Sequence, residues 1–171
     1  MAETTQTPGG RPQERPIDTR EGFRAAVLDT VDAALARDAR TMLWVDPDFA
    51  GWPLDEPRLI DALTAWLKRP LRRLVLLAGG YEALARAHPR FTAWRADWAH
   101  AVEPRSPTDL DPSDLPTLLL DDGPVLLELW DRERIRGRAT VDPFAARLAR
   151  DRIDAALQRS EAAWPVRPLG L

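Results

Sequence analysis

The chain predicts an α/β domain: a mixed sheet flanked by helices. Three observations carry this. Short apolar runs of strand length, residues 41–45 and 74–77, each stop at loop-forming residues, Asp46-Pro47-Asp48 and Ala78-Gly79-Gly80. The stretches between such runs have apolar residues at helical spacing, so strand and helix alternate through the first hundred residues, as they do where crossover helices join parallel strands. Residues 114–131 break the alternation. Two apolar runs joined by Asp121, Asp122, Gly123 and Pro124 read there as a buried hairpin, and a hairpin makes the sheet mixed.

At 171 residues the chain suits one domain with a proper core and is too short for two ordinary ones. Residues 1–16 are polar and read as a disordered leader to a single domain over residues 17–171. No apolar run approaches the roughly 20 residues of a membrane helix, and the leader lacks a signal peptide's apolar centre. The expected location is therefore cytoplasmic, with no membrane partner. The absence of cysteine excludes thiol nucleophiles, disulfides and cysteine-ligated metal. A formal net charge of −3, from 24 basic and 27 acidic side chains, gives no bulk attraction to nucleic acid. Any anion site must be local.

Asp18 followed by Glu21 reads as a capping box for a first helix that carries Phe23, Val27, Val31, Ala34 and Leu35 and ends near Asp38. Asp55 and Pro57 open a second helix with Leu59, Ile60, Leu63, Trp66 and Leu67 on one face, closed by Pro70. Residues 81–100 are helical by spacing, but Pro89 breaks them after His88. Residues 101–105 read as a third strand, and Pro104, Pro107, Pro112 and Pro116 bracket the loop that follows. Beyond the hairpin, Arg132, Arg134, Arg136 and Arg138 alternate with other residues, which in an extended edge strand places four guanidinium groups on one side. Asp142-Pro143 starts the last helix, with Phe144, Leu148, Ile153, Leu157 and Trp164 as its apolar stripe and Pro165 as its stop.

The order of these elements resembles one lobe of the phospholipase D superfamily, and more closely a degenerate single-lobe bacterial branch of unknown function. The residues that carry the resemblance are the end of the first apolar strand (Trp44-Val45-Asp46-Pro47-Asp48), the Val102-Glu103-Pro104-Arg105 strand, the aspartate-tipped hairpin and the ending from Trp164 to Leu171. Active members carry His-x-Lys, four further residues and Asp on the first hairpin strand. There the histidine is the nucleophile that forms a phosphoenzyme and the lysine holds phosphate oxygens. With Asp122 as that aspartate, the histidine and lysine positions fall on Leu115 and Thr117; with Asp121 they fall on Asp114 and Pro116. Neither register supplies a nucleophile or a cation, and Leu126-Leu127-Glu128-Leu129 replaces the small polar residues usual in the second strand. The resemblance implies a single-lobe phospholipase-D-like fold with no catalytic residue, acting as a binding or regulatory module. Its rim would draw on Asp46, Asp48, Arg105, Asp122 and Arg138, and since single-lobe members often pair, it also implies a homodimer.

Read from the residues alone, Asp46 and Asp48 place two carboxylates at the carboxyl end of a strand, where α/β sheets bind ligands. A Mg²⁺-assisted phosphodiesterase is one reading, loop capping by aspartate beside proline the other, and no metal or cofactor is assigned on this signal. The arginine row suits a phosphate-containing or nucleic acid ligand, or serves as a solvated edge. A tight strand-to-helix turn explains Gly79-Gly80, which matches neither phosphate-loop pattern. His88 and His100 have no acid at ligand spacing and read as ordinary helix residues. Trp44, Trp52 and Trp130 are candidate pocket residues, and Trp52 with the proline-rich loop gives a protein–protein interaction module as a third reading.

Overall fold

A computed structural model describes residues 13–166. The strands are β1 (Glu14–Ile17), β2 (Thr41–Val45), β3 (Arg73–Leu77), β4 (Val102–Pro107), β5 (Thr117–Asp121), β6 (Val125–Asp131), β7 (Arg136–Val141) and β8 (Ser160–Ala162). The helices are α1 (Arg20–Ala36), α2 (Pro57–Leu67), α3 (Glu82–Ala87), α4 (Pro89–Asp97) and α5 (Pro143–Gln158), with one 3-10 turn at Pro112–Asp114. One eight-stranded sheet has the order β1-β7-β6-β5-β2-β3-β4-β8. The neighbours β2, β3 and β4 are parallel, and β5 turns back antiparallel to β2 before pairing with β6. This is the mixed α/β sheet that the alternation and the hairpin predict.

Period-two alternation divides the core into two layers. On one face Met42, Trp44, Leu74, Leu76, Leu119 and Leu127 pack under α1 to α4, against Phe23, Val27, Leu63, Leu84 and Phe91. On the other, Val45, Leu77, Leu118, Leu120 and Leu126 meet α5 alone. The Trp66 indole donates to the Ala39 carbonyl at 2.6 Å and the Trp94 indole to Thr64 Oγ1 at 2.8 Å, so both large rings bury their area without orphaning the N–H. No helix among the described residues is long and apolar enough to cross a membrane.

Several local expectations are corrected. Glu14, Arg15 and Pro16, expected in the leader, form an edge strand that pairs with β7; residues 1–12 and 167–171 lie outside the described residues. Because β1 keeps the chain extended through Ile17, the first helix is capped one residue later than Asp18: Thr19 Oγ1 accepts from the Gly22 N–H at 2.9 Å. The arginine row is not one strand. Residues 132–135 make the β6–β7 turn, with Ile135 at φ 52°, so only Arg136 and Arg138 lie on β7. That strand is internal, between β1 and β6.

The last helix stops at Gln158, and Trp164 lies beyond it, after the short strand β8. Phe144 and Leu148, expected inward, are 70% and 50% exposed. The inward face of α5 is Ala145, Ala146, Ala149 and Ile153, whose small side chains let the helix lie close on the sheet. The break at Pro89 is as expected: α3 ends at Ala87 and α4 starts at Pro89.

Candidate functional site

Parallel strands leave their carboxyl ends at one rim, and β2 delivers Asp46 there. The carboxylate is buried and fully engaged. Asp46 Oδ2 accepts from the N–H groups of Asp48 (3.1 Å) and Phe49 (2.8 Å), and Oδ1 accepts from Thr117 Oγ1 at 2.6 Å. Phe49 sits in the left-handed region at φ 59°, held by that bond and by a 3.0 Å contact between its carbonyl and His88 Nε2. Asp48 is exposed, and its Oδ1 accepts from the Ala50 N–H at 2.9 Å, an Asx turn. The two aspartates therefore shape the β2–α2 loop. No group of three His, Cys, Asp or Glu side chains among the described residues converges as metal ligands.

Beside this loop opens a cleft of about 790 Å³. Arg20, Phe23 and Arg24 line it from the start of α1, Asp46 to Asp48 and Trp52 from the β2–α2 loop, Thr117 from β5, and Leu129, Arg132 and Ile135 from the β6–β7 turn. Arg20 and Arg24 are one turn apart at the positive end of a 17-residue helix. Arg24 reaches Glu56 at 3.3 Å, and Arg132 donates to the Ser113 carbonyl at 2.9 Å. Trp52 is 1% exposed and its indole N–H has no acceptor among the described residues. Three guanidinium groups around an apolar floor can hold an anion that carries an apolar part.

Of the five rim residues, the fold brings only Asp46 and Asp48 together. Arg105 lies within β4 on the far side of β3, and its guanidinium is taken by Ser160. Asp122 lies at the opposite end of the sheet, because β5 runs antiparallel to β2; there it accepts from the Arg40 N–H at 3.2 Å. Arg138 lies along β7, paired with Glu128 at 3.0 Å and Glu14 at 2.9 Å, and Arg152 of α5 joins Glu128 at 2.7 Å. Its charge is taken by carboxylates on β1 and β6, and it does not line the cleft.

Leu115 and Thr117, the histidine and lysine positions in the Asp122 register, do fall at the cleft end of β5; both are buried, and Thr117 serves Asp46. Sequence reasoning missed Arg20 and Arg24, although their i, i+4 spacing in the first turns of a helix is a legible signal. It placed Arg132 on a strand instead of the turn that aims it at the cleft. Of the three tryptophans proposed for a pocket, Trp52 lines the cleft, Trp44 is core, and Trp130 is 65% exposed.

Gly79 donates to the Pro47 carbonyl at 3.0 Å and packs on Pro112, so the Gly79-Gly80 turn is a close approach of backbone to ring. His88 is buried at Phe49, and His100 lies beside Trp98.

The mixed eight-stranded sheet flanked by helices is a fold found in solved structures. It is similar to Nuc, a phospholipase D family member from Salmonella typhimurium, with a TM-score of 0.59 and 11% identity over 91% of this chain and 100% of that one. It is also similar to TrmBL2, an archaeal chromatin protein whose structure shows a novel mode of DNA binding, with a TM-score of 0.60 and 14% identity over 94% of this chain. The chain spans 57% of the TrmBL2 chain. Identities this low establish the fold and carry no activity across. No family model and no curated protein sequence matches the chain.

Proposed function

We propose that this chain is a degenerate, non-catalytic phospholipase-D-like binding module whose cleft takes a phosphate-containing ligand, including a nucleic acid strand. The observation that carries the reading is at the cleft end of β5. Thr117 lines the cleft at the lysine position, Leu115 just before β5 is buried core at the histidine position, and Arg20, Arg24 and Arg132 line the same cleft. Such a site keeps the means to attract a phosphate and lacks the means to attack one. Asp46 and Asp48 act as its loop scaffold, and among the described residues no third His, Cys, Asp or Glu joins them for the metal-assisted alternative.

Binding of a labelled single-stranded oligonucleotide, followed by anisotropy across a salt series, tests this. Three phosphate contacts give a log–log salt slope of about −2. Arg132→Ala and Arg24→Ala each lower affinity, and hydrolysis of a generic phosphodiester stays at the buffer rate with or without Mg²⁺ or Mn²⁺. Metal-dependent turnover that is lost in Asp46→Ala would overturn the reading. Pairing of two copies belongs to the same proposal, supported by the exposed Phe144 and Leu148 on α5, and sedimentation equilibrium measures it.

A further inference from the structure

On the β3–β4 side of the rim, two arginines have only neutral acceptors among the described residues. Arg95, on α4, is 4% exposed. Its Nη2 donates to the Trp164 carbonyl at 2.5 Å, its guanidinium carbon lies 3.8 Å from the centre of the Trp164 ring, and its Nε has no acceptor. Arg105, within β4, donates from Nε to Ser160 Oγ at 2.7 Å and from Nη2 to the Ser160 carbonyl at 2.6 Å. Tyr81 links the two, touching Arg105 directly and Arg95 through the Trp164 ring. The Tyr81 hydroxyl donates to the Arg105 carbonyl at 2.7 Å, and the Tyr81 ring stacks on Trp164 at 5.1 Å and 11°.

A buried cation without a counter-charge is costly, and its ordinary remedy is an anion. Here every acceptor comes from one short segment, residues 160–164. Arg105 already grips two oxygens of a single residue in its fork, which is how guanidinium holds two oxygens of one phosphate. Arg95, capped by Trp164 of the same segment, has an N–H to spare. Apart from those contacts the covering segment has a short hold on the sheet: β8 contributes three residue pairs to β4, two of its three residues are exposed, and Trp164 sits in the left-handed region at φ 48°.

We propose that residues 160–164 are a displaceable self-ligand over a second anion site, in which Arg95 and Arg105 bind a phosphate monoester dianion once Trp164 swings away. The site is separate from the arginine-lined cleft and stands or falls independently of it.

Titration of the full chain with inorganic phosphate at constant ionic strength, read by calorimetry, tests it. Trp164→Ala removes the competing ring and raises phosphate affinity at least about tenfold over the parent, and adding Arg95→Gln abolishes the gain. Arg132→Ala, in the other cleft, leaves phosphate binding unchanged. Hydrogen exchange on the unaltered protein gives a second readout that needs no folded variant. The Ala163 N–H, bonded to the Pro104 carbonyl at 3.0 Å, exchanges several-fold faster in phosphate than in chloride. A folded Trp164→Ala protein with parental affinity, or Ala163 exchange indifferent to phosphate, overturns the proposal.

Discussion

Replacing Asp46 by alanine tests whether this carboxylate is scaffold or ligand holder. The substitution removes the acceptor of three hydrogen bonds, from the Asp48 N–H, the Phe49 N–H and the Thr117 hydroxyl, at a site that is nearly closed to water. Each bond to a charged acceptor contributes about 1.5–3 kcal/mol, and each buried donor left unpaired costs about 1–3 kcal/mol. Relief of carboxylate desolvation and relaxation of Phe49 offset part of this, which leaves a net loss of about 3–5 kcal/mol. That is a large share of a domain's total of about 5–15 kcal/mol.

Asp46→Asn keeps an acceptor oxygen and loses about half as much. Asp48→Ala breaks one exposed Asx contact and loses less than about 1 kcal/mol. In urea unfolding followed by tryptophan fluorescence, with a slope of about 2 kcal/mol per molar, Asp46→Ala moves the midpoint down by about 2 M. A midpoint unchanged or raised refutes the scaffold account. A raised midpoint is the result expected of a carboxylate kept for a cation, whose removal relieves an uncompensated buried charge.

Tyr81 is the only tyrosine, so its phenol can be followed alone by ultraviolet absorbance. Burial raises its pKa far above the ordinary value of 10.0. A raised folded pKa means that its stabilising contribution is intact below pH 10 and is lost as pH rises through the folded value. The absorbance step is expected well above pH 10, together with unfolding, and a step near pH 10 in folded protein refutes it. Glu128→Ala strips a buried carboxylate from Arg138 and Arg152 and is expected to cost about 2–4 kcal/mol in thermal unfolding, more than Glu14→Ala at the exposed end of the network. Equal effects of the two substitutions refute this. At Gly137 a Cβ would lie 2.0 Å from the Glu128 carbonyl oxygen, so Gly137→Ala forces β6 and β7 apart. A folded variant with parental stability in urea would show that the strands tolerate the shift.

The candidate site was legible only in part, for reasons that differ by residue. Asp46 and Asp48 were readable because the end of an apolar strand is a local signal, and parallel topology places it at the rim. Asp122 misled because its partner in space depends on strand direction, and the hairpin puts the start of β5, not its tip, beside Asp46. The arginine row misled because alternation was taken for one strand, whereas Arg132 lies in the β6–β7 turn, which closes the cleft, and Arg138 faces Glu128. Arg20 and Arg24 carried a legible signal, i, i+4 spacing in the first turns of α1, but what makes them site residues is the cleft beside them, which only the fold creates.

What the sequence determined by itself was the set of elements and their class. Apolar period, proline, glycine and the aspartate-rich turn act over a few residues, so β2, α2, β3, the break at Pro89 and the β5–β6 hairpin could all be read without a partner in view. What only the tertiary structure decided was neighbourhood: that α5 buries alanines and leaves Phe144 and Leu148 outside, that Trp164 belongs to Tyr81 and Arg95 instead of a helix, and that Ser160 takes the fork of Arg105. Those pairings join residues dozens of positions apart. Chain closure and the burial of charge select them, and neither is visible in a local pattern.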